Sequence, residues 1–245
     1  ERGEETAGAD LYVTLEPCCH TGKQPPCTEA VLASGVKRVI VGCTDPNPVV
    51  AGRGIRLLRE KGLEVVAGVL RGECERQNEV FFHFMRTKLP FTVLKYAMTL
   101  DGKTATVLGK SQWITGEAAR KRVHEDRGRY MAILTGVSTV LADNPQLTCR
   151  IPGGKNPIRV IADTKLRTPL SSTVVQTARE TPTWIVTAVS DAGRKKAYED
   201  AGCRVLSVPA KEGELDLQAM MQRLGEEKVD SVMVESSVKS EAKRS

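Results

Sequence analysis

Short strand-like runs alternate with helical patterns along the whole chain, in two successive series. Residues 11–15 (LYVTL) alternate apolar and polar side chains, as a half-buried strand does. A loop over 16–26 ends in Pro25-Pro26. Pro26 suits the first position of a helix, where its missing N–H is not needed. The pattern then predicts a helix over 27–34 closed by Gly35, a strand over 36–43, and a helix over 53–61 closed by Gly62. A strand over 63–70 follows, then a helix over 73–86 with Val80, Phe81 and Phe84 on its apolar side. Residues 87–90 (TKLP) read as a linker. The second series opens with a strand over 91–100, a turn at Asp101-Gly102 and a return strand over 103–107. Helices are expected over 116–130, 191–201 and 215–227, and strands over 131–136, 158–163, 183–188, 204–208 and 231–235. The alternation implies two α/β domains with mostly parallel sheets, over 1–86 and 91–245. Residues 236–245 are polar and unpatterned, and the halves share no internal repeat.

Composition narrows the function classes. A chain of 245 residues, 40% hydrophobic and 27% charged, has the balance of a soluble globular protein rather than a disordered or collagen-like one. The longest apolar runs, such as 131–134, are far too short to span a bilayer. The net charge of +6 is spread along the chain and suits acidic small molecules such as phosphorylated metabolites and nucleotide cofactors. Aromatics are only 4% and no basic block is interleaved with stacking residues, so nucleic acid is disfavoured as a partner. The seven cysteines are odd in number and irregularly spaced, which fits a reducing cytoplasm with most thiols as small buried hydrophobes. The cluster of Cys18, Cys19 and Cys27 is the exception. The chain starts at Glu1 without a charged-then-apolar leader, so either processing or a missing true start is expected.

The first motif is the loop Glu16-Pro17-Cys18-Cys19-His20-Thr21-Gly22-Lys23-Gln24-Pro25-Pro26-Cys27. Zinc takes thiolate and imidazole ligands in a tetrahedron, and a catalytic zinc keeps one position open for water. Cys18 on the loop and Cys27 at a helix start are placed to meet; two cysteines spaced nine apart are otherwise ordinary loop and core residues. The run TLEPCCHTGKQPPC resembles the zinc loop of the cytidine-deaminase-like enzymes, in the form found in the riboflavin-pathway pyrimidine deaminase. The resemblance implies that Cys18 and Cys27 bind zinc and that His20 and Lys23 lie near substrate. It also implies an upstream His-Ala-Glu supplying the third ligand and a proton-shuttling Glu, with zinc-activated water attacking the ring carbon. The histidines present are His20, His83 and His124, none in a His-x-Glu, so the third ligand and the shuttle are expected before residue 1. His83 reads as a packing residue of an aromatic helix and His124 as a solvated residue among charges.

The second half offers Lys95, Asp101-Gly102-Lys103, Ser111-Gln112-Trp113-Ile114-Thr115 and a polar stretch over 139–150. A lysine in an apolar strand either snorkels to solvent or faces a ligand. The stretch 139–150 reads as a compact loop with a turn at Asp143-Asn144-Pro145. It either ends in a surface Arg150, or its carboxylate, hydroxyls and guanidinium converge on a sugar phosphate. Gly109-Lys110-Ser111 is not a phosphate loop, because Thr104 stands where that pattern needs glycine, and no Gly-x-Gly-x-x-Gly opens a helix.

These segments resemble the reductase domain fused to the same deaminase, whose fold is similar to dihydrofolate reductase. The resemblance implies NADPH-dependent reduction of the ribosyl group of a phosphoribosylamino-uracil to ribityl. It implies substrate contacts at Lys95, Ser111, Arg127, Leu147, Arg150 and Glu235, and NADP contacts at Ala97, Trp113, Thr139, Asp143 and Thr164. The family follows the Glu235 position with Gly-Gly. Ser236-Ser237 stand here, where side chains disfavour the positive φ that glycine tolerates. The expectation is a cytidine-deaminase-like domain followed by a dihydrofolate-reductase-like domain, both incomplete. It belongs to a cytoplasmic, multifunctional, homo-oligomeric riboflavin-biosynthesis enzyme acting on phosphoribosyl-pyrimidines. The alternatives are an inactive partial chain that only binds zinc or nucleotide, and a non-catalytic zinc-binding interaction module.

Overall fold

A computed structural model describes residues 5–21, 24–48, 50–104, 106 and 114–235. The chain forms two compact units, Glu1–Thr87 and Lys88–Ser245. The first contains β1 (Asp10–Leu15), α1 (Cys27–Ala33), β2 (Arg38–Cys43), α2 (Arg53–Glu60), β3 (Glu64–Ala67), α3 (Arg71–Gln77) and α4 (Glu79–Thr87). Its sheet is parallel, in the order β1-β2-β3. The central strand β2 is buried from Val39 to Cys43, as a strand covered on both faces must be. Val31, Val39, Val41, Ile55, Leu58 and Val65 form the core.

Three expectations change here. The strand expected over 63–70 ends at Ala67, because Gly68 (φ +88°) and Leu70 (φ +50°) turn the backbone into α3. The single helix expected over 73–86 is two, interrupted at Asn78 (φ −105°, ψ 22°), whose side chain donates to the Cys74 carbonyl at 2.8 Å. Pro26 caps α1 from an extended conformation instead of opening its first turn.

The second unit contains, in chain order, β4 (Phe91–Lys95), α5 (Glu117–Arg129), β5 (Ala132–Gly136), α6 (Val137–Asp143), β6 (Ile158–Ala162), α7 (Thr173–Gln176) and β7 (Thr183–Thr187). It continues with α8 (Ala192–Asp200), β8 (Arg204–Ser207), β9 (Ala210–Lys211), β10 (Glu214–Leu215), α9 (Leu217–Glu226) and β11 (Ser231–Glu235). Six parallel strands lie in the order β4-β11-β5-β6-β7-β8. The last described strand therefore fills the gap between the first two, and its register sets Glu235 beside Lys95. Leu134, Val160, Val186, Leu206, Met220, Leu224 and Val232 build the core. Asp191 and Asp216 cap α8 and α9 by accepting from Arg194 N–H at 2.8 Å and Ala219 N–H at 3.0 Å.

The strand expected over 91–100 ends at Lys95. The turn expected at Asp101-Gly102 is present, closed by Thr99 N–H to the Lys103 carbonyl at 2.8 Å and Gly102 N–H to the Thr99 carbonyl at 2.9 Å. Residues 103, 104 and 106 are not strand, and 105 and 107 lie outside the described residues, as do Gly109-Lys110. The stretch read as a loop over 139–150 begins inside α6. Helix α7 and the β9–β10 hairpin are too short to leave a periodic signature and were not expected. Of the seven cysteines only Cys43 and Cys203 are buried, fewer than expected. Among the described residues no helix is long and apolar enough to cross a membrane.

One charged side chain organises the second unit. Arg159 on β6 is fully buried, with no carboxylate in ion-pair contact among the described residues. Burial lowers its pKa to about 10, so it stays protonated at neutral pH. It donates to the carbonyls of Gln146 (3.2 Å), Val174 (3.0 Å), Thr177 (3.0 Å) and Thr181 (2.9 Å). It also donates to the hydroxyls of Thr177 (2.8 Å) and Thr183 (2.9 Å). The planar fork of a guanidinium reaches all of them; an ammonium cannot.

Two predictions follow from this packing. Arg159→Met removes six hydrogen bonds at once, to four carbonyls and two hydroxyls, and urea unfolding is expected to show a loss of at least about 3 kcal/mol, with Arg159→Lys not restoring it. In the first unit, a Cβ on Gly54 would lie 2.0 Å from the Pro17 carbonyl oxygen. Gly54→Ala is expected to cost about 1–3 kcal/mol in the same measurement, because backbone cannot yield as a side chain can.

Candidate functional site

The cysteine loop hangs from a buried carboxylate. Glu16, 3% exposed, follows β1. Its Oε2 accepts from Asp45 N–H (3.1 Å) and Gly52 N–H (2.8 Å), and its Oε1 from Ile55 N–H (3.2 Å). These bonds tie the start of the loop to the end of β2 and the start of α2. Gly54, lacking a side chain, lets α2 approach the Pro17 carbonyl. The loop then brings the predicted pair together. Cys27, exposed at the first residue of α1, donates its backbone N–H to Cys18 Sγ at 3.4 Å, and Thr28 N–H bonds the Cys18 carbonyl at 3.1 Å. Hydrogen bonding to Cys18, with some burial, pushes the Cys27 thiol up. Two adjacent sulfurs resist double ionisation, and a divalent cation shared between them removes that resistance. The donor set suits zinc. Cys19 is half-buried beside them. Among the described residues no third His, Cys, Asp or Glu completes a metal-binding group. His20 is exposed on this loop, and Lys23 lies outside the described residues. The carboxyl of Asp45 is raised by burial and by Glu16, against its bond from Asn47 N–H and the nearby His20.

The second unit gathers charge at the C-terminal edge of its sheet. In open parallel sheets this edge is where ligands bind, because the loops there leave a crevice between strand ends. Lys95 and Glu235 end β4 and β11 side by side, both half-buried. Arg127, in the last turn of α5, donates Nε to Glu235 Oε1 and Nη2 to Oε2, both at 2.8 Å. Both side chains are largely shielded, at 11% and 12% exposure, so the fork is held in low dielectric and rigidly oriented. Arg127 Nη1 also donates to the Thr148 carbonyl at 3.0 Å, which pins the stretch after α6 to α5.

That stretch carries Leu147 and Arg150. Leu147 is buried and sits at φ +54°, so its side chain anchors the loop in the core. Arg159 holds the carbonyl of the preceding Gln146. Cys149 N–H bonds Asn156 Oδ1 at 3.0 Å, and its thiol donates to the His124 carbonyl at 3.2 Å. Arg150 is exposed and forms no ion pair among the described residues. Instead its N–H reaches His124 Nδ1 at 3.2 Å, and its Nη2 lies 3.2 Å from His124 Nε2. His124 is thus half-buried at the site, not a solvated residue among charges. Of the charges around it on α5, Arg127 joins the cluster while Arg122 pairs with Glu125 and Asp126, and only the fold brings Arg150 to it.

The nucleotide-contact candidates follow the ends of the neighbouring strands. Half-buried Ala97 comes just after β4 and half-buried Thr139 lies in the first turn of α6, which continues directly from β5. Asp143 ends α6 and is exposed. Thr164 follows β6, and its hydroxyl donates to Glu214 on β10 at 3.2 Å. The topology places all four past strand C-termini of one sheet, while no hydrogen bond among the described residues links Asp143 to the charged cluster. Ser111 and Trp113 lie outside the described residues. His124 and Asn156 belong to the site and had no motif to reveal them.

Comparison with known proteins agrees with both units. The model of the RibD C-terminal domain matches residues 90–239, more than half of the chain, and that of the cytidine and deoxycytidylate deaminase zinc-binding region matches residues 1–43. The riboflavin biosynthesis protein RibD of Actinobacillus pleuropneumoniae is 50% identical over 232 residues, covering 95% of this chain and 62% of the relative. That of Bacillus amyloliquefaciens is 48% identical, again covering 95% and 62%. The chain thus spans a little over three-fifths of the length of these curated relatives. Among solved structures, a diaminohydroxyphosphoribosylaminopyrimidine deaminase/5-amino-6-(5-phosphoribosylamino)uracil reductase from Thermotoga maritima superposes with a TM-score of 0.80 at 40% identity, covering 95% of this chain and 63% of that one. Acinetobacter baumannii RibD gives 0.81 at 36% identity, covering 96% and 64%. With a matched domain that fills its second unit, the chain belongs to the RibD C-terminal domain family.

Proposed function

We propose that this chain serves riboflavin biosynthesis as a bifunctional enzyme. The first unit, 1–86, takes part in zinc-dependent deamination of 2,5-diamino-6-(5-phosphoribosylamino)pyrimidin-4-one. The second, 91–245, reduces the ribosyl group of the product to ribityl with NADPH. The observation that carries this reading is the cluster of Lys95, Arg127, Glu235 and the unpaired Arg150 at the C-terminal edge of a parallel sheet. A sugar phosphate presents an anion and a row of hydroxyls, and this edge offers guanidinium and ammonium donors beside a carboxylate acceptor.

Each group has a distinct task. Arg150, with no counter-ion among the described residues, meets the phosphate. Glu235 is held by Arg127 in one orientation, so its oxygens keep a fixed direction for a sugar hydroxyl. Lys95, beside Glu235, is placed to donate to the sugar as its ring opens. The nicotinamide cofactor supplies the hydride when bound, and the chain supplies orientation and charge complementarity. Thr139, Asp143 and Thr164, past the ends of β5 and β6, are assigned to that cofactor, together with Ala97 and Trp113. In the first unit Cys18 and Cys27 hold zinc, which when bound acts as a Lewis acid that activates water. His20 and Lys23 are assigned to the pyrimidine substrate, and Ser111 and Leu147 to the substrate of the reductase. The reading includes a cytoplasmic homo-oligomer without nucleic-acid or membrane partners.

Three measurements test these assignments. Metal analysis of the full-length protein is expected to find one zinc per chain, lost in Cys27→Ala; full zinc in that variant would remove the metal assignment. Asp143→Ala is expected to raise KM for NADPH about tenfold or more, as loss of a charged hydrogen bond does, and unaltered reductase kinetics would count against the cofactor site. A double-mutant cycle on Arg127→Ala and Glu235→Ala is expected to give a coupling of about 1–3 kcal/mol in stability, and additivity would show that the pair does not act as one rigid unit.

A further inference from the structure

We infer that His124 is a positioning residue for Arg150, its neutral imidazole accepting from either the backbone N–H or the guanidinium of Arg150 and so keeping that residue in place to receive the phosphate of a sugar-phosphate ligand. The inference rests on the sugar-phosphate reading of the second unit and adds a residue that no motif marks.

Arg150 presents two donors to the two nitrogens of one ring. Arg150 N–H points at His124 Nδ1 and Arg150 Nη2 lies against His124 Nε2, each at 3.2 Å. A neutral imidazole has a single acceptor nitrogen, so it takes one of these donors at a time. An imidazolium has none and would face both donors with N–H groups of its own. The backbone around it is fixed from three sides. The His124 carbonyl accepts the Cys149 thiol, Arg127 binds the Thr148 carbonyl, and Arg159 binds the Gln146 carbonyl. The loop therefore approaches α5 in one register, and the ring occupies the position that decides where the Arg150 side chain goes.

Charges converge on the ring from each neighbouring element. Arg127 comes from its own helix, Arg150 from the loop after α6, and Glu235 from β11; Lys95 stands beside Glu235 on β4. Burial of the imidazole lowers its pKa, and Arg127 and Arg150 lower it further, while the Thr148 carbonyl and Glu235 oppose them. The ring is thus held neutral through the ordinary histidine range and gains its proton only on the acid side of it. Protonation there would release Arg150 from its acceptor. The ligand's affinity should therefore fall with pH by more than the phosphate's own ionisation explains.

The test measures binding of ribose 5-phosphate to the purified protein by calorimetry between pH 5 and pH 8. At the alkaline end His124→Ala is expected to weaken binding about tenfold, as loss of a charge-assisted hydrogen bond does, and His124→Gln, which keeps an acceptor, to stay within about threefold of wild type. On acidification wild type should weaken more steeply than His124→Gln. The phosphate titrates identically against both proteins, so the difference between their profiles isolates the imidazole. Reductase assays of His124→Ala should show the loss in KM with kcat little changed. Wild-type affinity in His124→Ala, or superposable pH profiles for wild type and His124→Gln, would overturn the positioning role while leaving the sugar-phosphate reading intact. Unchanged affinity in Arg150→Ala would instead overturn that underlying reading, and the role of His124 with it.

Discussion

The second unit depends on a cation that never meets water. Arg159 is buried on a central strand, and its donors go to carbonyls and hydroxyls rather than to a carboxylate. Removing a charged group from solvent is costly, and the cost is met only if every donor is matched at once. That condition fixes several segments together: the stretch after α6 through Gln146, helix α7 through Val174 and Thr177, and the approach to β7 through Thr181 and Thr183. Irregular backbone that would otherwise be mobile becomes a defined support for the loop holding Arg150.

The site is built outward from that support. Parallel pairing brings the C-terminal ends of β4, β11, β5 and β6 to one edge, and the position of β11 makes Lys95 and Glu235 neighbours. Arg127 spends its charge on Glu235, so the carboxylate is oriented and the pair is internally neutral. Arg150 is left without a counter-ion among the described residues and leans on an uncharged acceptor, His124. The contrast separates two arginines in one cluster: Arg127 is paired with a carboxylate, and Arg150 forms no ion pair among the described residues. The first unit shows the same economy. A buried Glu16 organises backbone N–H groups, and the sulfurs of Cys18 and Cys27 meet on the loop it holds.

Much of this was legible in the sequence where the signal is local. The alternation of strands and helices identified the α/β class, and most strands fall where apolar runs lie, because a strand in a parallel sheet must be apolar along its length. The Pro-Pro-Cys and Glu-Pro-Cys runs singled out Cys18 and Cys27. Where local geometry overrode pattern, the reading missed. Asn78 takes a non-helical conformation inside a stretch expected as one helix, and Leu70 takes a left-handed conformation inside an apolar run. Helix α6 escaped because its residues double as a polar-looking motif, and α7 because four residues show no period.

The amino-acid sequence by itself determined the fold class, the cysteine pair and the residues of the two motif-bearing halves, since these rest on residue type and short spacing. Tertiary structure alone decided the rest. The insertion of β11 between β4 and β5 sets Glu235 against Lys95 across 140 positions of chain. The path of the loop after α6 brings Arg150 to His124, 26 residues away, and turns an unremarkable histidine into part of the site. Such pairings depend on sheet order and buried hydrogen bonding, which act between residues distant in sequence and so leave no local trace.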